Sequence, residues 1–312
     1  MKPYNFILIL ILGSVLIYIT QRIFIHYKKF DSINHRSSHN TLATRTWSIG
    51  GFLLLFIVSV FYYFKSDEIY DFSLLIPLGI MFVVGVYDDF YDADFKLKFF
   101  FQIIVSKILI DQGFVISNFQ GLFGIYEVPW LIAQIVTVLA FLTLVNAINL
   151  IDGIDGLATT EVIKIILLFE FLSSHFTPFS SLGFIVVISL LPQYYFNFKK
   201  ENKVFLGDGG TLFLGTLVSM YLFYAMSSEY QIREEFAINK IVFCLLVLLY
   251  PLTDLFRVFF VRIKNGKSPF HPDKNHIHHL FLANSSQLKR LVGIQAIYLL
   301  CLILVFGIAK II

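Results

Sequence analysis

The sequence predicts an all-α, polytopic integral membrane helical bundle of about ten transmembrane helices, one domain over residues 1–312. Three observations predict it. The chain is 57% hydrophobic and only 14% charged, where a soluble domain carries roughly 25% charged residues. Apolar runs recur at the ~20-residue length that crosses a bilayer. Lys and Arg collect in alternate loops. The 36 Phe residues suit lipid-facing helices better than a water-soluble core. A net charge of +3 is small, and no nucleic-acid partner is expected.

The spans follow in order. The first, about 5–25, reads as a permanent span, because only Lys2 precedes its apolar run and no small-x-small cleavage pattern follows. The second, about 47–64, comes after a basic loop; the third, about 72–87, closes on Asp88 and Asp89. The fourth and fifth cover about 98–113 and 130–148, and the sixth, seventh and eighth about 159–174, 181–198 and 210–227. The ninth, about 239–261, is expected to be broken, since it holds Pro251, Asp254 and Arg257. The tenth covers about 291–311. Cys244 and Cys301 both fall in apolar runs, which fits packing and excludes a CxxC zinc or redox motif.

Orientation follows from the basic residues. Arg22, Lys28, Lys29, Arg36, Arg45, Lys96, Lys98, Lys199, Lys200, Lys203, Arg262, Lys264, Lys267, Lys274, Lys289 and Arg290 share one side of this topology. Only Lys2, Lys65, Arg233, Lys240 and Lys310 take the other. The positive-inside rule then places the odd loops in the cytoplasm and both termini outside it. Each polar cluster described next falls on the cytoplasmic face.

The most informative cluster is NAINLIDGIDGLA, from Asn146 to Ala158. Asp152 and Asp155 stand three residues apart, Asn146 and Asn149 precede them at the same spacing, and Gly153 and Gly156 follow each acid. On a helix, residues three apart share a face, so a helical backbone would aim both acids one way. Carboxylates at the edge of a membrane cost several kcal/mol unless a cation or partner compensates. A metal and phosphate site explains them, and the asparagines offer donor and acceptor groups for a nucleobase or a sugar amide. A helix cap followed by a glycine turn explains one acid but not the whole pattern.

Asp88 and Asp89 end the third span. Adjacent helical side chains point about 100° apart, so one helix does not direct both acids at one ion. They can divide the work between metal and substrate, Mg2+ usually taking one or two carboxylates plus phosphate oxygens. The alternative is a solvated helix end, with Asp92 and Asp94 continuing an acidic loop. In FLGDGGTLFLG, Asp208 sits between glycines at the entrance to the eighth span. Free N–H groups there would favour phosphate, or Asp208 itself would be the N-cap. Lys98 and Gln102 are four apart, so both could face the same site.

The segment SPFHPDKNHIHHL carries Lys274, His271, His276, His278 and His279. It lacks HExxH, and the H-x4-H spacing of His271 and His276 has no CxxC pair to complete a zinc site; its histidines read better as hydrogen-bond donors to phosphate or sugar. Arg36 and His39, in the basic first loop, could hold an anionic lipid phosphate or serve topology alone.

Together these residues resemble the polyprenyl-phosphate N-acetylhexosamine-1-phosphate transferase family (glycosyltransferase 4), over roughly Asn34 to Leu280. The match rests on NAINLIDGIDGLA, Asp88-Asp89, FLGDGGTLFLG and HIHHL in that order. The resemblance implies transfer of a sugar-1-phosphate from a UDP-sugar to a polyprenyl phosphate such as undecaprenyl phosphate, with Mg2+ or Mn2+, at the cytoplasmic face of the bacterial inner membrane. His276-Ile277-His278-His279 resembles the branch that initiates O-antigen, enterobacterial common antigen, teichoic acid or capsule synthesis, whose donor is UDP-GlcNAc or a related UDP-N-acetylhexosamine. The muramoyl-pentapeptide branch usually has a three-histidine run there. In one respect the chain departs from the family: Arg36 to His39 match its RSSH, but Trp47-Ser48 stand where tandem glycines are common, and Gly50-Gly51 come later.

The expected roles are then as follows. Asp208, with Asp152 or Asp155, holds the metal. Asp88 and Asp89 act at the reacting phosphate, and Asn146 and Asn149 contact the nucleoside. Lys98, Arg36, His39, Lys274, His276, His278 and His279 bind phosphate or sugar. The rivals are a transporter and an inactive scaffold. A transporter would place its acids near the membrane midplane in two related halves. Phe-rich faces could pack on lipid or on a second copy as a homodimer.

Overall fold

The computed structural model describes residues 3–26, 47–65, 69–91, 93–199, 204–236, 238–266, 268, 277 and 286–309. The described residues are overwhelmingly helical: α1 Pro3–His26, α2 Trp47–Phe64, α3 Leu75–Tyr91, α4 Phe95–Asp111, α5 Trp130–Leu150, α6 Leu157–Phe171, α7 Ser180–Asn197, α8 Gly207–Ala225, α9 Lys240–Val247, α10 Leu249–Lys264 and α11 Gln287–Ala309. Each apolar run of the sequence thus lies on a helix, the ninth on two.

Local chemistry sets several of the ends. Asp94 caps α4 by accepting from the Lys96 N–H at 3.2 Å, so it belongs to a helix start and not to a plain acidic loop. Asn239 does the same for α9. The ninth run breaks as expected: α9 and α10 meet at 75°. Pro251 would collide with the carbonyl of residue 247 in a continuous helix, and in the first turn of α10 its missing N–H costs nothing.

Among the described residues, four helical stretches are long and apolar enough to cross a bilayer, namely Phe6–Ile23, Phe72–Tyr91, Trp130–Leu150 and Gln287–Val305, and the α9–α10 pair would make a fifth. Side chains such as Ile7, Ile11, Phe61, Leu131, Leu139 and Ile303 turn outward from α1, α2, α5 and α11. An apolar surface this extensive is what a bilayer covers.

The helix that organises the interior is α8. Every residue along it is buried except Asp208 and Tyr224. It packs most extensively against α3 and α5, then against α2 and α6. Its contact with α3 is backbone on backbone: a Cβ added to Gly85 would lie 2.6 Å from the Gly209 Cα and closer still to the Asp208 carbonyl. No side chain fits there, which is why α3 and the start of α8 can touch. Gly85→Ala is therefore expected to lower the melting temperature of the detergent-solubilised protein, overpacking of this kind costing about 1–3 kcal/mol. An unchanged melt would show that the two helices separate cheaply.

Candidate active site

Four helix ends converge: the last turn of α3, the first of α4, the last of α5 and the first of α8. They bring Asp88, Asp89, Lys98, Asn146, Asn149 and Asp208 into one cluster.

The two acids of α3 diverge, as their 100° offset requires. Asp88, buried, turns to α4. Its Oδ2 accepts from the Lys98 Nζ at 2.6 Å and its Oδ1 from the Ala93 N–H at 2.8 Å. Asp89, also buried, turns to α8. Its Oδ1 accepts from the Asp208 N–H at 2.9 Å and its Oδ2 from the Gly209 N–H at 3.0 Å. The expectation of free N–H groups at the start of α8 is corrected here. Two of those donors already belong to Asp89. Nor is Asp208 the N-cap. Leu206 holds that position without a side-chain capping bond, and Asp208 lies inside the first turn. A helix start pressed against α3 finds its acceptor across the interface, because the N–H groups there cannot reach water.

Asp208 is the most accessible of the three acids, its side chain half-buried at 29% accessible. Its Oδ1 accepts from the Asn149 Nδ2 at 2.7 Å, and its Oδ2 lies 3.8 Å from the Lys98 Nζ. Asn149 Nδ2 also donates to the Thr211 Oγ1 at 2.7 Å. Asn146 Nδ2 donates to the Gln102 Oε1 at 3.0 Å and to the Leu142 carbonyl at 2.7 Å. So both asparagine amides spend donors on protein neighbours. Lys98 and Gln102 do share one face of α4, the first serving α3 and α8, the second α5.

Asp152 and Asp155 are placed differently from the helical reading. α5 ends at Leu150, and residues 151–156 form a turn before α6. Gly156 stands there at φ 77°, a left-handed backbone that glycine adopts without strain and that stops a continuous helix. The acids therefore share a turn and not a helical face. Asp152 is half-buried; Asp155 is buried, and its N–H donates to the Gln287 Oε1 at 3.0 Å at the start of α11. Arg36, His39, Lys274, His276, His278 and His279 lie outside the described residues, as do the side chains of Trp47 and Ser48. Ile277 is described: its N–H donates to the buried Asp254 Oδ1 on α10 at 2.6 Å.

Sequence reasoning missed Thr211 and Gln287. The i,i+3 step from Asp208 to Thr211 was a usable signal. Gln287 had none, lying far along the chain from its partner.

The residues present fit a hard divalent cation. Asp88 and Asp208 offer carboxylate oxygens around one point, where the Lys98 ammonium now sits, so the surroundings stabilise positive charge. Among the described residues no three His, Cys, Asp or Glu side chains gather as a metal cage. Mg2+ needs none, since it takes one or two carboxylates and fills its shell with water and phosphate.

Known proteins with similar sequences point the same way. The family described as glycosyl transferase family 4 matches residues 72–226, a stretch that runs from α3 to the end of α8 and contains the whole cluster. A probable undecaprenyl-phosphate N-acetylglucosaminyl 1-phosphate transferase of Bacillus subtilis is 31% identical over 308 residues, covering 95% of this chain and 80% of that protein. The undecaprenyl-phosphate alpha-N-acetylglucosaminyl 1-phosphate transferase of Haemophilus influenzae is 28% identical over 266 residues, 81% of this chain and 71% of that one. Its counterpart in Yersinia pestis is 27% identical over 287 residues, 88% and 75%.

Proposed function

The chain belongs to glycosyl transferase family 4, and on that premise we propose that it transfers N-acetylglucosamine-1-phosphate from UDP-N-acetylglucosamine to undecaprenyl phosphate. UMP leaves, and the product is an undecaprenyl diphosphate sugar that starts a lipid-linked glycan. The observation that carries this reading is the cluster of Asp88, Lys98, Asn149 and Asp208 at four converging helix ends, inside the stretch that matches the family.

A phosphoryl oxygen of the lipid phosphate forms the new bond to the β-phosphorus. The bond from that phosphorus to the bridging oxygen breaks, and UMP departs with the electron pair. The second pKa of a phosphate monoester is about 6, so the acceptor is already a good nucleophile near neutral pH and needs no strong base. Asp88 accordingly orients the acceptor through Lys98, whose ammonium also binds phosphate oxygens. Asn149 holds the Asp208 carboxylate at one oxygen, leaving the other turned to the site. Asp208, with Asp88, would hold Mg2+ or Mn2+, which when bound offsets charge on the diphosphate. Asp152 and Asp155 stand on the turn that follows Asn149 along the chain, where they would contact the donor, and the histidine segment is assigned to the donor by its chemistry.

We place the enzyme in the bacterial cytoplasmic membrane, crossing it about ten times, with the site on the cytoplasmic face. The support is the loop asymmetry of Lys and Arg and the run of apolar helices. A homodimer is compatible with the outward apolar faces.

The test is UMP release by purified protein in detergent with UDP-N-acetylglucosamine, undecaprenyl phosphate and Mg2+, with UDP-N-acetylgalactosamine in parallel. Release is expected to require the lipid, to stop with EDTA, and to be faster with the N-acetylglucosamine donor. A folded protein that releases no UMP with either donor would overturn the proposal.

A further inference from the structure

We propose that Asp89 is a positioning residue: it clamps the start of α8 and so sets where the Asp208 carboxylate stands. This rests on the transferase reading. Four observations carry it.

First, both oxygens of Asp89 are in use. One accepts from the Asp208 N–H at 2.9 Å, the other from the Gly209 N–H at 3.0 Å. Asp89 is 7% exposed and Asp88 5%, so burial does not separate them; the partners do, since Asp89 is held by two backbone N–H groups of α8 while one Asp88 oxygen meets the Lys98 ammonium. Second, α8 has no side-chain capping bond of its own. The first N–H groups of a helix lack intrahelical partners and carry partial positive charge. A carboxylate from α3 answers both needs. Third, Gly85 stands four residues before Asp89, one helical turn back on the same face. It lets the α3 backbone press on Asp208 and Gly209. The clamp is thus a side-chain grip beside a backbone contact. Fourth, the residue whose N–H is gripped is Asp208 itself. Its side chain reaches Asn149 at 2.7 Å and faces Lys98 at 3.8 Å. A shift of the first turn of α8 moves that carboxylate with it.

Asp88 stands apart from this. It is rotated about 100° from Asp89 and bonds Lys98. The adjacent acids therefore divide the labour: Asp88 faces the reacting groups, and Asp89 acts on them by holding Asp208.

The experiment uses the full-length protein in detergent and compares Asp89→Asn with Asp88→Asn. Asparagine keeps one acceptor oxygen but turns an NH2 toward an N–H that had a partner. Two readouts are taken: Mn2+ binding by electron paramagnetic resonance without substrates, and kcat for UMP release across a Mg2+ series. Asp89→Asn is expected to weaken Mn2+ binding about tenfold, near 1.4 kcal/mol. Its half-saturating Mg2+ should rise in step, with most of kcat recovered at high Mg2+. Asp88→Asn, which removes a proposed metal ligand and the Lys98 partner together, should weaken Mn2+ binding too but lose kcat even at saturating Mg2+. Should Asp89→Asn fail to fold, Asp89→Ser is the second variant, since a hydroxyl accepts a helix-start N–H but supplies no carboxylate to react. Its kcat should likewise return at high Mg2+. Loss of kcat at all Mg2+ concentrations with unchanged Mn2+ affinity would overturn the clamp and make Asp89 a reacting group. If the wild type releases no UMP, the transferase reading fails, and Mn2+ affinity alone still decides the clamp: weakened in the variant it stands, unchanged it falls.

Discussion

Asp208→Ala is expected to lower UMP release by about a thousandfold or more, the scale of losing a group that stabilises charge in the transition state. The reason is geometric. Asp208 is the accessible acid of the cluster, and its Oδ2 is the oxygen turned toward Lys98. Its other oxygen is held by Asn149 at 2.7 Å, so the carboxylate is fixed before any ligand arrives. Fold and activity should separate in this variant. The Asp208 side chain is partly solvated, and the α8 donors stay bound to Asp89, whose bonds are to the Asp208 backbone and to Gly209. The melting temperature should therefore stay near that of the wild type, while Mn2+ binding disappears. Full activity in Asp208→Ala would end the assignment of this residue to the metal.

The second large effect is at Lys98. Replacing it by Met is expected to cut UMP release about a hundredfold or more, because the diphosphate and the lipid phosphate lose their nearest described cation. The same change should tighten Mn2+ binding in the absence of substrate. In the wild type the ammonium lies 2.6 Å from Asp88 and 3.8 Å from Asp208, where it repels a second cation and occupies carboxylate oxygens. Met removes the charge and keeps the length of the stem. Opposite movement of the two measurements is the signature to look for. Weaker Mn2+ binding together with lost activity would mean that Lys98 merely holds the two acids in place.

Much of the architecture was legible in the sequence because lipid and protein interior impose the same apolar demand along each helix. The runs about 5–25 to 291–311 all fall on helices, and Pro251 marked the break between α9 and α10. The divergence of Asp88 and Asp89 followed from helical geometry alone. So did the shared face of Lys98 and Gln102. The turn at 151–156 was harder to read. Two acids at i,i+3 fit a helix as well as a turn, and the glycines that decide for the turn were visible without settling its start.

Residue types and spacing by themselves determined that this is a membrane helical chain with acids, amides and a lysine at helix ends, resembling one transferase family. They also named the cluster members. Only the tertiary structure decided how those members are used: that Asp89 is spent on the start of α8, that Asn149 holds Asp208, and that Gln287 reaches the Asp155 backbone. Such bonds join residues far apart in the chain, and their partners are set by which helix ends are pressed together. Local pattern reports the face a side chain takes on its own helix; which donor waits across the interface depends on packing, here on a glycine that lets α3 and α8 touch.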